Sequence, residues 1–179
     1  MEWELAVLDW FQSIQQPVLT KIFGFITMLG EAGWFWILLG VILLISRKTR
    51  HCGIAVLAAL LLDLVLANII LKPLVARPRP CWNRDTVELL VRVPKDYSFP
   101  SGHTMASFAA AGALLFTRKA WGCWTLGLAF LMGISRLYFY VHFPTDVLAG
   151  LVLGLLCGYL GALFVKKAGR TKFGTIYDI

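Results

Sequence analysis

The chain has 179 residues, 59% of them hydrophobic and 15% charged, with a mean hydropathy of +0.74. That balance excludes an ordinary soluble domain and points to an integral membrane protein, residues 1–179 forming one domain. The formal net charge of +7 is not a nucleic-acid signature, because nine of the 17 basic residues sit in short flanks beside apolar runs.

Residues 3–16 read as a short amphipathic helix, with Trp3, Val7, Trp10, Phe11 and Ile14 on one face and Asp9, Gln12, Ser13 and Gln16 opposite. It is too short to span and is expected to lie in the membrane interface. The next segment, 17–46, starts at Pro17 and is broken at Gly30-Glu31-Ala32-Gly33. It is either one kinked span or an entry helix followed by a span. Further spans are expected at 52–71, 102–117, about 120–141, and 145–165. The fold class is therefore all-α, a polytopic membrane bundle of about five to six transmembrane helices behind an N-terminal interfacial helix.

The basic flanks orient the bundle. Arg47, Lys48 and Arg50, then Arg118 and Lys119, then Lys166, Lys167, Arg170 and Lys172 mark cytoplasmic ends. No basic N-terminal region with a small-residue cleavage site precedes the first apolar stretch, so no cleaved signal peptide is expected. Loop 72–100, the start of the 102–117 span and the turn at 142–145 then meet at the extracytoplasmic surface. The four cysteines match no zinc spacing, and no acidic cluster or histidine pair suggests a metal site.

Three stretches at that surface carry chemistry. In "KPLVARPRP", residues 72–80, prolines 73, 78 and 80 are expected to keep the helix from continuing regularly and to give an extended segment, bringing Lys72 and Arg79 towards one pocket. In "PSGH", Ser101 is placed to cap the next helix, leaving the amides of Gly102 and His103 free to hold phosphate oxygens. In "SRLYFYVHFPTD", Arg136 offers a forked donor, and Asp146 can orient one nitrogen of His142. Arg136 and His142 are six apart, so the helix must loosen between them or Arg136 must reach around. Asp63 and Asn68, inside the 52–71 span, are read as structural. Gly150, Gly154 and Gly158 form a stripe of small residues suited to helix packing.

Lys-x6-Arg-Pro, Pro-Ser-Gly-His and Ser-Arg-x5-His-x3-Asp, in this order, resemble the signature motifs of the type-2 phosphatidic acid phosphatase superfamily without a substitution. The resemblance implies a metal-independent, cofactor-free lipid phosphatase working through a phosphohistidine. His142 would be the nucleophile, Asp146 its orienting partner and His103 the general acid. Lys72, Arg79, Ser101, Gly102 and Arg136 would bind phosphoryl oxygens. The implied partners are a lipid phosphate substrate (undecaprenyl diphosphate, phosphatidic acid or phosphatidylglycerol phosphate) and the surrounding lipids, in a bacterial-type plasma membrane. Two other readings share the motifs, a vanadate-dependent haloperoxidase and a non-catalytic phospholipid binder. The apolar spans disfavour the first, and the His142–Asp146 pair disfavours the second.

Overall fold

A computed structural model describes residues 2–82 and 89–172, the side chains of 170–172 excepted. Part of the long loop (83–88) and the side chains of Arg170 and Lys172 in the basic tail thus lie outside the described residues. Helices account for every regular element among those described: α1 (Glu2–Ser13), α2 (Pro17–Leu29), α3 (Trp34–Ile45), α4 (Arg50–Asp63), α5 (Lys72–Val75), α6 (Gly102–Thr117), α7 (Lys119–Tyr138) and α8 (Pro144–Lys172).

Helix α1 packs on the bundle through a stripe beside its apolar face. Glu4 and Leu8 are the buried positions, while Trp3 and Trp10 are more than half exposed. Leu8 packs with Tyr140 and Phe143 at the end of α7. The tryptophans therefore face outward, as interfacial anchors do. Pro17 stands at the start of α2, where its missing N–H costs nothing.

At the Gly30–Gly33 break a 3-10 turn replaces the α-helix, with Ala32 and Gly33 at positive φ, and the segments on either side differ by 46°. Gly30 is closely approached by side chains: a Cβ there would lie 2.6 Å from Met132 Sδ and 2.8 Å from His103 Cδ2. The break is thereby pressed against a candidate catalytic histidine.

From Arg50 to Val75 the chain is one helical rod. Its middle, Leu64–Leu71, is π-helical, and α5 carries it through Pro73 before Ala76 ends it at φ 47°. The helix thus continues irregularly through Pro73 for one last turn, and the extended segment begins after it. Proline clashes with the carbonyl four residues back in a regular α-helix, and the wider π turn in front of it relaxes that geometry. The rod and Pro144–Gly169 are each long and apolar enough to cross a membrane, and the bent α2–α3 pair would make a third crossing. Helix α6, at 16 residues, is short for a span, and α7 carries Lys119, Arg136 and several glycines along its 20 residues.

Helix α6 is the axis of the bundle. It packs most extensively along α8, then along α7 and α4, and positions 104–114 are all buried. Small residues permit this. A Cβ on Gly154 would lie 2.4 Å from the Met105 carbonyl oxygen, and one on Gly158 2.6 Å from the Ala113 nitrogen. Close backbone approach of this kind replaces the hydrophobic drive that lipid cannot supply.

Candidate active site

Each end of the site is shaped by a helix terminus. Helix α7 stops at Tyr138, and Tyr140 takes a left-handed φ of 58°. The Tyr140 amide bonds the Leu137 carbonyl and the Val141 amide bonds the Arg136 carbonyl, the paired pattern that closes many helices, here with tyrosine where glycine is usual. The helix does loosen, which lets Arg136 and His142 face one cavity. At the start of α6 the expected side-chain cap is absent. Ser101 Oγ pairs instead with Thr104 Oγ1 at 2.9 Å, and its amide bonds the Asp146 carbonyl at 3.1 Å. The first turn of α6 is thus fastened to α8.

A cavity of about 910 Å³ opens between these termini. Lys72, Arg79, Gly102, His103, Arg136 and His142 line one end, and Ile37, Leu57, Leu60, Leu61 and Leu64 line another part. The structure therefore brings together six of the eight candidate residues. Ser101 and Asp146 are fully buried and do not line the cavity.

The orientation of His142 follows from its neighbours. Nδ1 lies 2.8 Å from the Ser98 carbonyl oxygen, which can only accept, so Nδ1 carries the proton. Nε2 lies 3.0 Å from Arg79 Nη1, which can only donate, so its lone pair is unprotonated. Burial holds the imidazole well below its usual pKa range, reinforced by the charges of Arg79, Arg136 and Lys72. A neutral histidine with an unprotonated Nε2 is a competent nucleophile once that nitrogen is released from Arg79.

Asp146 does not bond the ring directly, as the simplest orienting role would require. Its Oδ2 is 3.7 Å from Nδ1 and accepts instead from Ser98 Oγ at 2.5 Å and the Phe143 amide at 2.8 Å. The carboxylate holds the residue whose carbonyl holds the histidine. Its other oxygen accepts from Arg77 Nη1 at 2.6 Å, and Arg77 Nη2 reaches Glu4 Oε2 at 2.8 Å.

The cations are held by an acid from the loop before α6. Asp96 accepts from Lys72 Nζ at 2.5 Å through Oδ2 and from Arg79 Nη2 at 2.8 Å through Oδ1. Half-burial pushes the Asp96 carboxyl up, but the hydrogen bond and charge of Lys72, with the charge of Arg79, outweigh it and bring it down to about 2. Arg136, 6% exposed, donates to Thr27 Oγ1, and its buried Nε has no partner among the described residues. Asp96, Ser98, Arg77 and Glu4 escape a motif-based reading. Asp96 and Ser98 stand four and two positions before the proline of "PSGH", and Arg77 lies inside "KPLVARPRP", so adjacency was the available signal.

Comparison with known proteins agrees with the motifs. The chain is 34% identical over 169 residues to an undecaprenyl-diphosphatase of Sulfolobus acidocaldarius, covering 92% of this chain and 81% of that protein. It is 31% identical over 152 residues to the undecaprenyl-diphosphatase BcrC of Bacillus subtilis, covering 83% and 76%. Its fold matches the crystal structure of a transmembrane PAP2-type phosphatidylglycerolphosphate phosphatase from Bacillus subtilis. The TM-score is 0.78 with 31% identity, over 96% of this chain and 88% of that one. The PAP2 superfamily model matches residues 52–170, the stretch that holds all three motifs, and the chain belongs to that superfamily.

Proposed function

We propose that the protein is a metal-independent membrane lipid phosphatase that hydrolyses a lipid phosphomonoester or diphosphate through a phosphohistidine. The observation that carries this is the cavity itself, where three cations and the unprotonated Nε2 of His142 share a space with a wall of aliphatic side chains. Such a space suits a phosphate head with an apolar tail. Two of the relatives named above are undecaprenyl diphosphatases, so a polyprenyl diphosphate is the first substrate to test.

In this mechanism Lys72, Arg79 and Arg136 neutralise the phosphoryl oxygens, and the unpartnered Arg136 Nε gains an acceptor. Nε2 attacks phosphorus as the bond to the leaving oxygen breaks, and His103 protonates that oxygen. The phosphoimidazole keeps its Nδ1 proton on the Ser98 carbonyl, with Asp146 close enough to favour the positive ring. Water then attacks phosphorus, gives a proton to His103 and releases inorganic phosphate, restoring His142.

The crossings would be the α2–α3 segment as one or two, the α4–α5 rod, α6, α7 and α8. That is five to six, with the site on the extracytoplasmic face and residues 1–179 as one domain. The test is phosphate release from a panel of lipid phosphates by purified protein in detergent, with and without EDTA. Activity that survives the chelator, is blocked by vanadate and disappears in His142→Ala is expected. Complete loss in EDTA restored by magnesium would overturn the metal-independent mechanism, and a tenth of the wild-type rate remaining in His142→Ala would overturn the nucleophile.

A further inference from the structure

Behind the catalytic wall lies a partly buried chain of charges that the three motifs do not account for. Arg77 comes from the extended segment after α5, and its guanidinium joins three elements at once. It donates to Asp146 Oδ1 at 2.6 Å and Thr145 Oγ1 at 2.7 Å on α8, and to Glu4 Oε2 at 2.8 Å on α1. Its carbon centre lies 4.0 Å from the centroid of the Phe143 ring, in the turn that carries His142. Thr145 closes the circuit by donating to Glu4 Oε1 at 2.6 Å.

Neither Arg77 nor Glu4 lines the cavity, so neither is placed to touch the phosphoryl group. Both are shielded, with side chains 19% and 5% exposed. A carboxylate so buried needs a partner to stay charged. Burial pushes the Glu4 carboxyl up, but the hydrogen bonds from Thr145 and Arg77, with the charge of Arg77, hold it below the usual range. Two acids therefore share one cation, and the excess negative charge sits beside the turn that bears His142.

We infer that Arg77 and Glu4 are positioning residues for the phosphatase reaction proposed above, acting on His142 through Asp146 and Ser98. Arg77 fixes one oxygen of Asp146, which leaves the other oriented towards Ser98 Oγ and the Phe143 amide. Ser98, so held, presents its carbonyl to Nδ1 and aims Nε2 into the cavity. Glu4 completes the shell from α1, which makes the N-terminal helix part of the catalytic apparatus and not only an anchor. The planar fork places Nη1 on Asp146 and Thr145 and Nη2 on Glu4, a division that an ammonium would have to make from a single nitrogen.

The test is a steady-state comparison of full-length wild type, Arg77→Met, Arg77→Lys and Glu4→Gln in detergent. Farnesyl diphosphate and dioctanoyl phosphatidic acid serve as substrates, and inorganic phosphate serves as a competitive inhibitor. Misaiming a reacting group by about 1 Å costs up to about 10²-fold. Arg77→Met is therefore expected to lower kcat about 10- to 100-fold, with KM and the phosphate inhibition constant within about twofold of wild type. Arg77→Lys should recover part of the loss, and Glu4→Gln should lower kcat by a smaller factor at unchanged KM.

A loss confined to KM would overturn the inference by making Arg77 a substrate-binding cation, and full kcat in all three variants would overturn it outright. If Arg77→Met does not fold, Glu4→Gln and Arg77→Lys decide alone, and wild-type kcat in both overturns it. Wild type that releases phosphate from neither substrate would instead overturn the phosphatase reading, and this inference with it.

Discussion

Asp96 holds its two carboxylate oxygens on Lys72 and Arg79, the cations that the proposed mechanism assigns to the substrate phosphate. Substrate would have to displace it. Half-exposed pairs of this kind are worth about 0.2–1 kcal/mol each, so the competition is modest. Asp96→Asn is expected to lower KM by about two- to fivefold. An increase in KM, measured on a short-chain diphosphate, would mean that Asp96 orders the cations for substrate. The carboxyl's low folded value, about 2, keeps this pairing charged at every working pH, and the pairing is lost only as pH falls through that value. For His142 the sign is the opposite of a protonated, paired histidine. Burial and neighbouring cations disfavour its charged form, so the ring stays neutral below the usual titration range. In the substrate-free protein, the His142 ring resonances, assigned with a His142→Asn variant, should not move between pH 8 and pH 6.5. An inflection at or above 6.5 would contradict the neutral nucleophile.

At the scale of elements, the site depends on α6 and α8 lying close and parallel, so that the Ser101 amide can meet the Asp146 carbonyl. The glycine stripe on α8 sets that distance. In Gly154→Ala the new methyl group would stand 2.4 Å from the Met105 carbonyl oxygen, and the two backbones would have to part. Overpacking costs about 1–3 kcal/mol, and each kcal/mol lowers the thermal midpoint by about 2–4 °C at this size. Gly127→Ala is the control, because nothing lies within 4 Å of its Cβ position. There the better helix propensity of alanine should leave the midpoint unchanged or raise it. Thermal unfolding in one detergent decides it, and equal midpoints for the two variants would show that the stripe does not govern packing.

For the whole molecule, the helices alternate so that the α3–α4 and α6–α7 junctions and the α8 tail share the end remote from the cavity. The junctions hold Arg47, Lys48 and Arg50, and Arg118 and Lys119, and the tail holds Lys166 and Lys167. The α5, α6, α7 and α8 termini that build the site share the other end. Positive charge is retained on the cytoplasmic side. In a variant free of Cys52, Cys81, Cys123 and Cys157, Lys95→Cys is expected to react with an impermeant thiol reagent in intact cells. Lys119→Cys is expected to react only after lysis. The reverse labelling would place the cavity on the cytoplasmic face and remove the case for an outer-leaflet substrate.

The apolar runs and three short motifs determined, without any structure, that the chain is a helical membrane protein of the PAP2 superfamily, and they picked out all six candidates that line the cavity. Motif and helix spacing are local, so one strand of sequence carries them. The tertiary structure alone decided how those residues are held. Glu4 and Arg77 are 73 positions apart and Arg77 and Asp146 are 69, and no periodicity links them. The inward turn of Glu4 on α1 runs against that helix's own apolar pattern, because a shielded guanidinium offers it more than lipid does. The passage of the helix through Pro73, the pairing of Ser101 with Thr104 and the transfer of Asp146 from His142 to Ser98 have the same origin. A local pattern states which side chains need a partner, and only packing decides which partner arrives.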